Sequence, residues 1–430
     1  MERILLATDY PNLTELKLYN VNDHIVSHYF TDESPFRRIF QEQITDLILV
    51  YHRDTDMLLM NPNTEYVYEY TLKLFENLKH FSVIGCVQLL SIDDLAPTTW
   101  LSLNLNKLCV HVCGFEDCLA LLDGRLKQLT TFIVNIDCPE DDLSTIYNID
   151  DLPNMKCFSL TCRCPTSEYD TRVLPLLRRM RKLEELTLNI INDERTTFID
   201  GTQINDKFLV HISCLRKFIF HISVEVELHH LTHYSLNEDI QRTFINIEYQ
   251  QVCCILNYNI GSVICHVFSL LFAFDYLDDI GNTFPPIDFS RVRELAVYDK
   301  IPFKHEFFIR IACFFPVLKQ LRVINFESQS QMRDNLVSNN NELYSIVEYP
   351  NLISLCLRWS HIDYVEQFLN ETKTHLPHLT KLRVGYNELR LVTKNFTRDA
   401  TRRNCAQVKQ LIIDKTIVHS KDLYNYFPLL

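Results

Sequence analysis

Apolar positions in this chain recur as a short phrase, and the period changes from two residues inside the phrase to that of a helix outside it. Between Tyr349 and Tyr386 the sequence reads YPNLISLCLRW, SHIDYVEQFLNETKTH, LPHLTKLRVGY, so the phrase occurs twice with one longer segment between. Leu352, Leu355 and Leu357 of the first copy correspond to Leu379, Leu382 and Val384 of the second. Leu355 and Leu357 alternate with Ser354, Cys356 and Arg358, which is the period of a strand with one buried face. In the intervening segment Ile362, Val365, Phe368, Leu369, Thr372 and Leu376 share one side of a helix, with Ser360 as the expected cap.

This strand-plus-helix phrase is a leucine-rich repeat. Its first apolar residue recurs at Leu13, Ile44, Leu78, Leu105, Leu129, Met155, Leu183, Leu215, Val292, Leu318, Leu352, Leu379 and Val408. Successive copies lie 24 to 34 residues apart, except for 77 between Leu215 and Val292. No single unit buries its apolar side alone, whereas stacked units share a continuous core. The expected fold is therefore an α/β leucine-rich-repeat solenoid, a horseshoe with a parallel β-sheet on the concave face and helices on the convex face. One domain is expected over residues 1–430, with about 13 to 15 repeats and an irregular stretch around residues 221–290. The long interval reads as one or two degenerate repeats, with a helix near Asn237 to Tyr249 and a strand at Ile264 to Leu270.

Helices are predicted over Phe115 to Lys127, Tyr169 to Met180, Phe303 to Phe314 and Ile362 to His375. Acidic or Ser/Asn-rich segments, Asp137 to Asp151 and Glu327 to Asn341, read as surface loops and sites of proteolytic nicking. The asparagine that commonly ties successive turns is present in the usual place only as Asn387, followed by Leu389; Cys86 and Cys113 take that position in two other repeats. Leu423, Tyr426, Phe427, Leu429 and Leu430 form an apolar tail expected to fold back over the last turn.

Composition adds compartment. The 430 residues are 47% apolar and include 15 cysteines scattered without a regular framework. An odd count and no secretory segment after Met1 imply reduced thiols in the cytoplasm or nucleus. Glycosylation-type triplets begin at Asn12, Asn370 and Asn395 and carry no weight without secretion. The longest apolar run, Val263 to Phe274, spans 12 residues and contains His266, against about 20 needed to cross a bilayer. No membrane partner is expected.

Motifs for catalysis are sparse, and no enzyme is expected. With seven glycines, the closest pair of which, Gly114 and Gly124, are ten positions apart, the chain offers no phosphate-cradling or dinucleotide loop. Gly-x-Ser-x-Gly and His-Glu-x-x-His are both absent. His229, His230 and His233, or Cys162 with Cys164, supply metal-ligand types without a second half at ligand spacing, so no metal or cofactor is expected. Asp141 and Asp142, Asp150 and Asp151, and Glu184 and Glu185 serve as acid/base pairs only inside a pocket; the alternative is a solvated surface.

Charge is more informative. The net charge of −13 is uneven: residues 1–290 hold 22 Lys/Arg and 41 Asp/Glu, and residues 291–430 hold 20 and 14. Strand positions between the buried ones in the last third include Arg322, Arg358, Lys381 and Arg383, a candidate partner-binding patch on the concave face. Such side chains either solubilise a sheet face or meet an acidic or phosphorylated protein. Nucleic acid is the less favoured partner, because the acidic remainder repels phosphates.

The phrases YPNLTELKLYNV, LPNMKCFSLTC, MRKLEELTLNI and YPNLISLCLRW, with the tail VHSKDLYNYFPLL, resemble the repeat region of F-box leucine-rich-repeat proteins. The similarity covers essentially the whole chain. It implies a substrate receptor of a cullin-type ubiquitin ligase, in which a helical F-box ahead of the repeats docks the ligase adaptor. The sequence opens with MERILLATDYPNL, directly in repeat territory, and no F-box-like segment is visible. The expectation is therefore a fragment or truncated relative, with the adaptor as partner only where an F-box lies upstream; the other expectation is a free-standing repeat scaffold.

Overall fold

A computed structural model describes residues 10, 12–21, 23–51, 65–84, 104–112, 114–124, 126–136, 151–231, 236–246, 251–329, 345–413 and 421–430. The fold is mixed α/β with large, mostly parallel sheets. The chain divides into two compact units, residues 1–195, 199–224 and 242–250 in the first and 196–198, 225–241 and 251–430 in the second.

In the first unit the strands are β1 (Glu15–Val21), β2 (Asp46–Tyr51), β3 (His80–Ile84), β4 (Lys107–Val112), β5 (Thr131–Ile136), β6 (Cys157–Thr166), β7 (Glu185–Arg195) and β8 (Lys217–Glu227), the last ending just inside the second unit. They stand side by side in chain order, and β1 to β7 pair parallel. Each begins two residues after one of the phrase residues that the sequence singles out. Alternation fixes the faces: in β4, Leu108, Val110 and Val112 are buried while Lys107, Cys109 and His111 stay half-exposed. Register then aligns like with like, so Leu108, Phe132, Phe158 and Leu186 form one buried row.

The second unit repeats the arrangement in β11 (Tyr276–Ile280), β12 (Glu294–Tyr298), β13 (Gln320–Asn325), β15 (Ser354–Ser360), β17 (Lys381–Val384) and β18 (Gln410–Ile412), a six-stranded sheet in that order and parallel throughout. Two-residue strands β14 (Val347–Glu348) and β16 (Thr374–His375) pair parallel beside it. Leu277, Leu295, Leu321, Leu355, Leu382 and Leu411 occupy one register row.

Two devices tie successive parallel strands and the segments that lead into them. At each strand entry a single carbonyl accepts two consecutive N–H groups from the next turn: Thr45 O accepts from Lys79 and His80, Thr130 O from Lys156 and Cys157, and Ile353 O from Thr380 and Lys381. One residue before the first apolar phrase residue, the amides of Asn77, Asn104, Asn154 and Asn351 donate to carbonyls of the segment leading into the preceding phrase, Gln41 and Glu42, Glu76, Lys127 and Pro316 respectively. Asn387 takes no such role, because it lies exposed in the helix Tyr386–Val392; Cys86 and Cys113 fall outside the described residues. These asparagines tie the segment before each of their strands to the segment preceding it.

Helices are shorter than their apolar periodicity predicts. Phe115–Leu121 stops before Gly124, whose φ of 100° leaves the helical region. Tyr169–Val173 is a π-helical turn that continues as Leu174–Arg178. His305–Phe314 matches its prediction closely, and Ile362–Leu369 ends where Asn370 turns the chain into β16. Ser360 does not cap that helix: its hydroxyl donates to Leu357 O, and His361 Nδ1 accepts from Asp363 N instead. The expected loops at 137–151 and 327–341 lie almost wholly outside the described residues.

The long interval departs from strand-plus-helix repeats. After a short helix, Asn237–Arg242, and a 3-10 turn, Thr243–Asn246, come β9 (Val252–Tyr258) and β10 (Ser262–Ser269), which pair antiparallel. The hairpin turns at Gly261, with φ of 89°, and Asn259 N donates to Ser262 O. A strand at 264–270 is therefore present, but as the return arm of a hairpin buried on both faces.

Candidate functional site on the outward face of the second sheet

β-Strand alternation in the second unit points Leu321, Val323, Leu355, Leu357, Leu382 and Val384 into the core and leaves the residues between them on the opposite face. Arg322 on β13, Cys356 on β15 and Arg383 on β17 stand in one register row. With neighbouring strands about 4.8 Å apart, the two arginine backbones lie about 10 Å from each other across the small Cys356 side chain. Lys381 occupies the preceding outward row with Gln320 and Ser354.

Arg358, two residues past Cys356, keeps the outward alternation, and an irregularity in the strand brings Trp359 out beside it. Between β13 and β15 the register passes from Arg322 opposite Cys356 to Ile324 opposite Trp359, so β15 carries one extra residue. That bulge exposes Trp359 beside Arg358 and interrupts the alternation that places Leu355 and Leu357 inside. The Arg358 guanidinium sits 5.5 Å from the centroid of the Trp359 ring. Trp359 is 43% exposed, with half-exposed Ile324 beside it and Phe326 exposed beyond the end of β13.

All four basic residues singled out by sequence thus lie on one sheet face. Electrostatics grade across it. Across β12, the charge of Arg322 is felt by Asp279 on β11, where burial first, then Asp278 and Glu225, raise the carboxyl to about 6 while Arg322 opposes the rise. Gln320 donates to Glu294 at 3.1 Å. The acidic side at β11 and β12 gives way to cations on β13, β15 and β17, and no ion pair to Arg358, Lys381 or Arg383 is seen among the described residues.

The first unit's outward face is different. Its edge row runs Glu15, Asp46, His80, Lys107, Thr131, Cys157 and Glu185, and its charges meet locally. His80 Nδ1 lies 3.3 Å from Asp46, and Lys217 donates to Glu185 at 3.2 Å. Burial, then Lys107, lower the His80 pKa.

Sequence reasoning missed Trp359 because a tryptophan two residues after Leu357 reads as the next inward position of the strand.

Other candidates for chemistry are locally satisfied. Glu184 approaches Lys156 and Arg216, and Cys162 Sγ donates to Cys164 O at 3.3 Å. His229 lies 2.9 Å from Glu227 and packs at a tilt against His230, ring centroids 4.0 Å apart; His233, Asp141, Asp142 and Asp150 are outside the described residues. A carboxylate pair that sequence did not suggest, Glu116 and Glu168, is nearly buried and bridged by Arg172, which joins Phe115–Leu121 to the π-helical turn. Among the described residues, no three His, Cys, Asp or Glu side chains gather at a metal-binding geometry, and no helix is long and apolar enough to cross a membrane. Compared with known proteins, the sequence matches no protein-family model and no curated protein.

Proposed function

We propose that the chain is a protein-binding leucine-rich-repeat module and that its partner, an acidic or phosphorylated protein, docks on the sheet face bearing Arg322, Arg358, Lys381 and Arg383. In this reading each unit is a stack of repeats, with strands on the inner side and helices on the outer side of a solenoid. The observation that carries it is the convergence of these four cations with exposed Trp359 on one rigid parallel sheet. A cation-rich surface with an aromatic anchor suits a partner supplying carboxylates or phosphates around an apolar side chain. A substrate-receptor role in a ubiquitin ligase rests on the resemblance of the repeat phrases to F-box proteins; a scaffold without a ligase link is the alternative. Neither reading gives the chain catalysis, and both place it in the cytoplasm or nucleus.

Affinity capture with mass spectrometry tests the binding proposal, using the 430-residue chain and an Arg358→Glu/Arg383→Glu variant. Partners retained at low salt, released at high salt and lost by the variant are the expected result. Identical partner sets for the two proteins contradict it. Co-purification with the ligase adaptor separates the two roles: a longer product carrying an F-box retains the adaptor under the first, and no product retains it under the second.

A further inference from the structure

The β9/β10 hairpin places two cysteines on facing strands. Cys254 stands opposite Val267 and Cys265 opposite Leu256, so the two are diagonal neighbours on one face of the hairpin. Their Sγ atoms are 3.8 Å apart, in van der Waals contact, and the residues are 3% and 1% exposed. Cys253, next in sequence, belongs to the other face of the strand by alternation, and burial pushes its thiol up to about 11. Cys109 and Cys157, by comparison, sit on strands separated by β5.

We propose that Cys254 and Cys265 form a redox-modification site, at which a small hydroperoxide converts the two thiols to a disulfide within the hairpin. One thiol loses its proton to water, and its sulfur attacks the terminal oxygen of the hydroperoxide. The O–O bond breaks, leaving a sulfenic acid, and the alkoxide or hydroxide released takes up a proton. The second sulfur, deprotonated in turn, attacks the sulfenic sulfur; an S–S bond forms and hydroxide leaves as water. Two thiols are oxidised by two electrons, and the hydroperoxide is reduced to an alcohol, or to water for hydrogen peroxide, plus one further water.

Contact between the sulfurs sets the selectivity. A sulfenic acid at either position already touches the partner sulfur, so closure to the bond length of about 2.05 Å needs a side-chain rotation and a small strand shift. The second thiol therefore intercepts the sulfenic acid before another peroxide carries it to sulfinic acid. Because the pair spans the two arms on either side of Gly261, the disulfide fixes the hairpin against opening.

The test treats the folded 430-residue chain with hydrogen peroxide, blocks remaining thiols with N-ethylmaleimide, digests with pepsin and maps the peptides by mass. A 254–265 linkage two mass units below the dithiol is expected, retained in Cys253→Ser and lost in Cys254→Ser and Cys265→Ser. Amide exchange over residues 252–269 is expected to slow about tenfold or more in the oxidised protein. Recovery of both cysteines as maleimide adducts, their conversion to unlinked sulfinic acids, or linkage through Cys253 instead overturns the proposal. The wild-type linkage map stands by itself if a serine variant fails to fold.

Discussion

At the scale of single residues, polar groups inside the second unit do the tying. Asn404 is 1% exposed; its amide donates to Phe368 O, Leu369 O and Thr374 O, and its carbonyl oxygen accepts from Leu376 N. Asn404→Ala orphans those backbone groups and is expected to cost about 3 kcal/mol, read as a lower urea midpoint with an unchanged slope. An unmoved midpoint argues that water replaces the amide. His266 and Asp279 make opposing contributions to pH dependence. Burial lowers His266 to about 4 from 6.5, so the unfolded chain binds the extra proton between those values and wild-type stability falls as pH drops through that window. Asp279, raised from 3.8 to about 6 by burial, Asp278 and Glu225, takes its proton first in the folded state and acts oppositely. Relative to wild type, His266→Gln is therefore expected to gain stability as pH falls from 6.5 to about 4, and Asp279→Asn to lose it from about 6 to 3.8. Denaturant titrations at a series of pH values check both, and parallel curves contradict them. None of these roles was legible in the sequence. Asn404 reads as a surface helix position, and the environments of His266 and Asp279 come from strands brought together by the fold. Arg322 and Arg383, by contrast, follow from alternation alone.

At the scale of elements, every strand announced by the repeated phrase is present, because a period of two with buried leucines has one satisfactory register in a stacked sheet. Helix lengths were less legible, since in Phe115–Leu121 and Ile362–Leu369 the apolar stripe runs on past the turn that ends the helix. The β9/β10 hairpin was hidden for another reason. Its strands are apolar on both faces, so neither period stands out, and only the Asn-Ile-Gly-Ser turn marks the reversal. Close packing between elements yields two predictions. A Cβ on Gly201 would lie 2.4 Å from Thr243 O, while Gly201 N donates to the Thr243 hydroxyl. Gly201→Ala must therefore separate the helix Gly201–Lys207 from the 3-10 turn, with an expected loss of about 2 kcal/mol in unfolding free energy. Wild-type stability in that variant contradicts the close approach. At the other end, the helix Lys421–Tyr426 brings Leu423, Tyr426 and Phe427 to full burial, as expected of the apolar tail, while Leu429 and Leu430 stay partly exposed. Tyr426 packs on Phe396, and its hydroxyl donates to Arg398 O at 2.9 Å. Removing residues 421–430 is expected to lower the melting temperature by about 10 °C; a melting curve superimposable on that of the whole chain contradicts this packing.

At the scale of the whole molecule, the charge gradient along the chain matters more than the net charge. The acidic excess of residues 1–290 repels polyanions in general, whereas the outward face of the second sheet gathers cations where a partner's acidic groups can reach them. The repeat phrase made the basic positions legible, but the bulge that brings Trp359 among them was not, because bulges leave no mark on an alternating pattern. That tryptophan supplies the most direct measurement of the central proposal. The chain has two tryptophans, so replacing Trp100 by Phe leaves Trp359 as the sole indole, and its emission can be followed while poly-L-glutamate or a phosphoserine-rich polypeptide is added. A saturable change that disappears at high salt, and is absent in the Arg322→Glu/Arg358→Glu/Arg383→Glu variant of the same background, is the predicted result. A response that survives the triple reversal, or no response to either polyanion, contradicts the assignment of this face as the binding surface.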